Sequence, residues 1–92
     1  MMAATLAADW GPFAPGLDHA EALARTRSLR ALVNAFAGPH GRACAAALRD
    51  AETDPVALHR AADLLDRLPT IPRRHVLAAY AGLIAPDRRA SA

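Results

Sequence analysis

The chain has no lysine, a single cysteine, and four aromatic residues, 4% of its length. Each shortage excludes something. Without lysine, all eleven basic residues are arginines. Alongside alanine at about a quarter of the chain, this bias is most simply read as GC-rich coding, so the arginine count alone carries no functional weight. One cysteine rules out an intramolecular disulfide and cannot build a zinc site by itself. With so few aromatics and so much alanine, an apolar fraction of 53% buries little area per residue. The core is therefore thin, with a margin on the order of a few kcal/mol that oligomerisation would raise.

Charge and hydropathy exclude further classes. Nine carboxylates are spread among the eleven arginines, and the net charge of +2 is far from a nucleic-acid footprint. The longest uncharged helical stretch, His75 to Ala85, falls well short of the about 20 residues needed to cross a bilayer. The opening MMAATLAADWG lacks a basic segment followed by a long apolar one, which leads to the expectation of a cytoplasmic protein. Ninety-two residues suit one domain.

What is present is helical. Asp54-Pro55 pairs an N-cap acceptor with a first-turn proline. Leu58, Ala61, Ala62, Leu65 and Leu68 then follow on one helical face until Pro69 intervenes. This predicts a helix over 55–68. A second follows over 72–85, capped by Thr70 and ended by Pro86, with Val76, Tyr80, Leu83 and Ile84 as its large-residue stripe. Its other side is small: Ala78, Ala79, Ala81, Gly82 and Ala85. Ala78 and Gly82, four apart, would let another helix approach closely. Two covers fit that smooth face: an earlier helix of this chain, or a second chain.

Upstream, Asp18-x-x-Glu21 resembles a capping box, and Gly38-Pro39 marks a stop, so the spacing predicts a helix over 18–37. Its core stripe is Ala22, Leu29, Leu32, Val33 and Phe36, with Leu23, Arg27, Arg30 and Asn34 on the far side. A weaker helix over 39–52 turns His40, Cys44, Ala47, Leu48 and Ala51 inward and Arg42 and Arg49 outward. Gly41 weakens it further, and it is the natural candidate to lie on the small face of the last helix. The expected fold is all-α, a small bundle of four helices at about 18–37, 39–52, 55–68 and 72–85. Residues 1–17 form an extended N-terminal arm carrying Trp10 and Phe13, 18–86 the bundle, and 87–92 a flexible tail.

Little here carries chemistry. His40 and Cys44 share a helix face, but a thiol on the buried side serves as core. His59, Asp63 and Asp66 lie on a solvated face and make no metal site. No catalytic residue, metal site, cofactor or small-molecule substrate is expected. The 55–85 hairpin with Arg73 and Arg74 superficially suggests a helix-turn-helix, yet beyond His75 the second helix offers no side chain able to read bases. Arg73 and Arg74 oppose the helix dipole where free N–H groups also point, an arrangement suited to binding an anion. The expectation is a non-enzymatic protein–protein interaction module: an accessory subunit, adaptor, inhibitor or self-associating domain. Its contact residues are drawn from Trp10, Phe13, Leu23, Arg73, Arg74, Ala78 and Gly82. Its partner is a protein, in a hetero- or homo-oligomer, and not a membrane. A nucleic-acid-associated regulator is the alternative.

Overall fold

The computed structural model describes residues 10–84. The expectations for residues 1–8, for the helix end at Ala85 and Pro86, and for the 87–92 tail lie outside them. The described residues are all-helical, with no strand among them. A 3-10 turn, Gly11–Phe13, leads into α1, His19–Ala37. A second 3-10 turn, Gly38–Gly41, connects α1 to α2, Arg42–Asp50. Then come α3, Pro55–Asp66, and α4, Thr70–Ile84.

The helix starts follow local chemistry. The Asp18 carboxylate accepts the Glu21 backbone N–H at 2.8 Å, and Asp54 accepts that of Val56 at 3.0 Å, each satisfying an orphan donor. The capping box is half made, because Glu21 turns to Arg25 Nε at 2.7 Å. Gly38 sits at φ 54°, a left-handed conformation open to glycine, and that ends α1.

Three boundaries differ from the sequence expectation. The helix expected over 39–52 is a 3-10 turn followed by nine α-helical residues, since the chain turns tightly between α1 and α2 over Gly38–Gly41. Beyond Asp50 its carbonyl accepts from Thr53 and Asp54 (3.1 and 3.0 Å), closing a turn in place of more helix. The helix expected to end at Leu68 ends at Asp66. The last helix begins two residues before Pro72, with its first bond from Arg73 N–H to the Pro69 carbonyl at 3.0 Å.

Packing places α2 between α1 and α3, while α4 packs on α1. Alanine explains the first arrangement: Ala45 and Ala47 are buried beside Cys44 and Leu48, so both neighbours come close to a thin helix. The core continues through Leu29 and Val33 of α1, Ala61 and Leu65 of α3, and Val76 and Tyr80 of α4. The expectation that the 39–52 helix covers the small face of the last helix is therefore overturned. Its inner side is already used by α1 and α3. Phe36, expected in the core, is 46% exposed, and Leu83 is 55% exposed. His40, expected to face inward, is exposed in the connecting turn.

Candidate functional site

Helix α4 is held to α1 by Val76 and Tyr80, both fully buried, with Leu77 half-buried beside them. Helical periodicity then turns Ile71, Arg74, His75, Ala78, Ala81 and Gly82 outward, and all six are exposed. Ile71 is 65% exposed, a large apolar side chain at the start of this face. Among the described residues, nothing lies within 4 Å of where a Cβ on Gly82 would be. Phe36 reaches over from α1, its ring centroid 6.1 Å from that of His75 in an edge-on arrangement. The face thus has a bulky end at Phe36, Ile71, Arg74 and His75 and a smooth end at Ala78, Ala81 and Gly82.

Behind that face sit the aromatic residues expected to form an arm. Trp10 packs on Tyr80 with ring centroids 4.4 Å apart and a 54° tilt, and Phe13 is half-buried against the core. The backbone allows this because Gly11 has φ 58° and presents no side chain to the tyrosine ring. Arg25 Nη1 donates to the Gly11 carbonyl at 3.3 Å and ties the segment to α1. Trp10 therefore braces α4 through Tyr80. The Tyr80 hydroxyl is buried and has no hydrogen-bond partner among the described residues. Burial pushes its pKa up, with the Arg25 charge pulling it back.

The other expected site residues go elsewhere. Leu23 is half-buried and lines a shallow trough of about 550 Å³ with Ala22, Pro55 and Leu58. Arg73 Nη1 donates to the Asp66 backbone carbonyl at 2.8 Å, capping the C-terminal end of α3. Burial raises the Asp66 pKa, the Arg73 guanidinium opposes that rise, and Asp63 adds to it. Arg74 is exposed and makes no ion pair among the described residues. One nitrogen of the Arg73 guanidinium is thus engaged by the helix end before it, whereas Arg74 is exposed.

Cys44 is buried, its thiol donates to the Ala61 carbonyl at 3.7 Å, and burial pushes its pKa up to about 11. A thiol protonated well above neutral pH is a poor nucleophile. No group of three His, Cys, Asp or Glu side chains is placed to hold a metal among the described residues. None of their helices is long and apolar enough to cross a membrane.

Ala78 and Gly82 are exposed, and beside them stand two exposed apolar residues the sequence did not single out for a surface, Phe36 and Ile71. Phe36 falls on the predicted core stripe and Ile71 in the short connection between two helices, and no local signal distinguished an apolar side chain left in solvent. Compared with protein families, curated proteins and solved structures, the chain matches none of them.

Proposed function

We propose that the chain is a non-enzymatic, cytoplasmic interaction module that acts through the outward face of α4, and that the occupant of that face is a second copy of itself. In this reading the scaffold is a four-helix bundle whose aromatic N-terminal arm is folded against the last helix. The observation that carries the proposal is the exposed run from Ile71 to Gly82, extended by Phe36. Self-pairing follows from its asymmetry. A two-fold axis near Ala78 would set Arg74 over Gly82 and His75 over Ala81 of the partner copy, so each bulky end meets a smooth end. Such a contact is self-complementary, as a two-fold interface requires. Small residues allow the close helix approach. Trp10, packed on Tyr80, stiffens the face from behind.

A single-helix contact about 22 Å long, from fifteen residues at the α-helical rise, sits at the low end of interface sizes, so association on the order of micromolar is expected. Sedimentation velocity over a concentration series tests this. The wild-type chain should pass from monomer to dimer, and Ala78→Glu or Gly82→Leu should leave it monomeric with unchanged helical circular dichroism. Both sites are exposed in the monomer, so loss of association would not reflect unfolding. A wild-type chain that stays monomeric at concentrations on the order of millimolar would remove the self-pairing reading.

The nucleic-acid alternative is weaker. Of the two arginines it relies on, Arg73 and Arg74, the first is engaged at the end of α3, and α3 and α4 make few contacts with each other.

A further inference from the structure

On a different surface, α1 and α2 enclose an open cleft of about 670 Å³ lined by three arginines. Arg30 and Asn34 stand one turn apart on α1, and Arg42 and Arg49 two turns apart on α2. Between the α2 arginines lie Ala45 and Ala46, an apolar floor, and the Gly38-Pro39 turn contributes to the lining. The lining includes no carboxylate.

The sequence shows these arginines only as separate outer-face residues of two helices. What joins them is the tight turn at Gly41. A Cβ there would lie 2.6 Å from Val33 Cγ1, so glycine lets the start of α2 come down onto α1. The Arg30–Asn34 edge of α1 and the Arg42–Arg49 edge of α2 then border one cleft.

Three guanidinium groups around one cleft repel one another unless anions intervene. The chain's own carboxylates answer this weakly. Arg42 makes no ion pair among the described residues. Arg30 meets Glu52 at 3.5 Å, a carboxylate that Arg27 also shares at 3.3 Å. Arg49 meets Asp50 at 3.8 Å. The Arg30 and Arg49 contacts are longer than charge-assisted hydrogen bonds and give way readily to a better acceptor.

The geometry points to a binding site for a small organic molecule carrying two or more linked phosphate groups. Seven residues separate Arg42 from Arg49, about 10 Å along the helix, within which flexible arginine side chains converge on a diphosphate or triphosphate. Guanidinium forks match phosphate oxygens in pairs, and three of them call for a ligand of more than one negative charge. The Asn34 amide adds a neutral donor, and the Ala45–Ala46 floor suits the organic portion. A net charge of +2 is not what a nucleic-acid surface carries. The ligand is bound, with no reacting group beside it.

The test is a titration of the full chain at low salt with pyrophosphate and with adenosine triphosphate, followed by amide NMR and calorimetry. Both should bind in a saltable manner, with shifts concentrated at Asn34, Gly38, Ala45 and Ala46. Arg42→Ala and Arg49→Ala should each weaken binding by about tenfold or more, the usual loss for one charge-assisted contact, without changing helical content. Four results would overturn the proposal: no binding of either probe, affinity unchanged in the Arg42→Ala/Arg49→Ala double variant, shifts centred elsewhere, or sulfate binding as tightly as pyrophosphate. Binding of single-stranded oligonucleotides with none of pyrophosphate would also overturn it and assign the cleft to a nucleic-acid backbone.

Discussion

A side-chain carbon on Gly41 would fall 2.6 Å from Cγ1 of Val33 and 2.7 Å from the Cβ of Ala37. Both neighbours are buried in α1, so neither can move aside without disturbing the core. The backbone of Gly41, at φ −98°, is open to any residue. Glycine is needed there for space alone.

Gly41→Ala sets two effects of opposite sign against each other. Alanine favours helical backbone by up to about 1 kcal/mol, whereas overpacking costs about 1–3 kcal/mol. The clash should dominate. A net loss of about 1–2 kcal/mol is expected in urea denaturation, and a gain would mean that α1 and α2 separate freely.

Tyr80 joins a favourable ring to an unfavourable hydroxyl. Its ring packs at a tilt on Trp10, centroids 4.4 Å apart, while its hydroxyl is buried without a partner among the described residues. Tyr80→Phe should be neutral or stabilising by up to about 1 kcal/mol, because it removes an unsatisfied group and keeps the ring. Trp10→Ala should cost about 2–3 kcal/mol from lost burial and ring contact. Thermal unfolding of the two variants checks both signs. A large loss from Tyr80→Phe would show that the hydroxyl is hydrogen-bonded.

Cys44 makes stability fall at high pH. Its folded pKa is raised by burial from the ordinary 9.0 to about 11, so the folded chain holds the proton that the unfolded chain releases. The contribution is fully present below pH 9, is lost as pH rises towards 11, and is on the order of 2 kcal/mol. Cys44→Ala should flatten stability over that window, as read from denaturation midpoints. Iodoacetamide should label native Cys44 only as fast as the chain opens.

Adjacent arginines should differ in their effects. Arg73→Ala removes a 2.8 Å hydrogen bond and a positive charge from the C-terminal end of α3, and should cost about 1 kcal/mol. Arg74→Ala, at an exposed site, should lie within about 0.5 kcal/mol of wild type. Loss of Arg73 should also shift Asp66 to a still higher pKa, since that guanidinium opposes the rise caused by burial. Carboxyl NMR titration of the two variants would show whether Asp66 responds to Arg73 alone.

The starts of α1 and α3 and the main break were legible because their causes are local. Asp18 reaches a backbone N–H three residues on, Asp54 one two residues on, and Gly38 turns the chain within itself. The buried stripe of α1, Leu29 and Val33, also follows from periodicity, as does the burial of Cys44. Phe36 breaks the pattern. It lies on the predicted stripe, but whether a neighbour covers the end of that stripe depends on where α4 runs.

Arg73 and Arg74 show the same division within two residues. Their charge and their place in the first turn were plain in the chain, whereas the acceptor that engages Arg73 belongs to the end of another helix.

By itself, the sequence determined the class of structure: an all-α chain with too little apolar bulk to bury every helix face and turns placed by proline, glycine and capping carboxylates. Those choices rest on backbone sterics and hydrogen bonds spanning a few residues. Only the tertiary structure decided that α2 lies between α1 and α3, leaving the smooth face of α4 in solvent, and that Arg30, Arg42 and Arg49 line one cleft. These outcomes depend on how closely helices approach, which is set by side-chain volumes, such as the missing Cβ of Gly41, meeting across positions that share no local pattern.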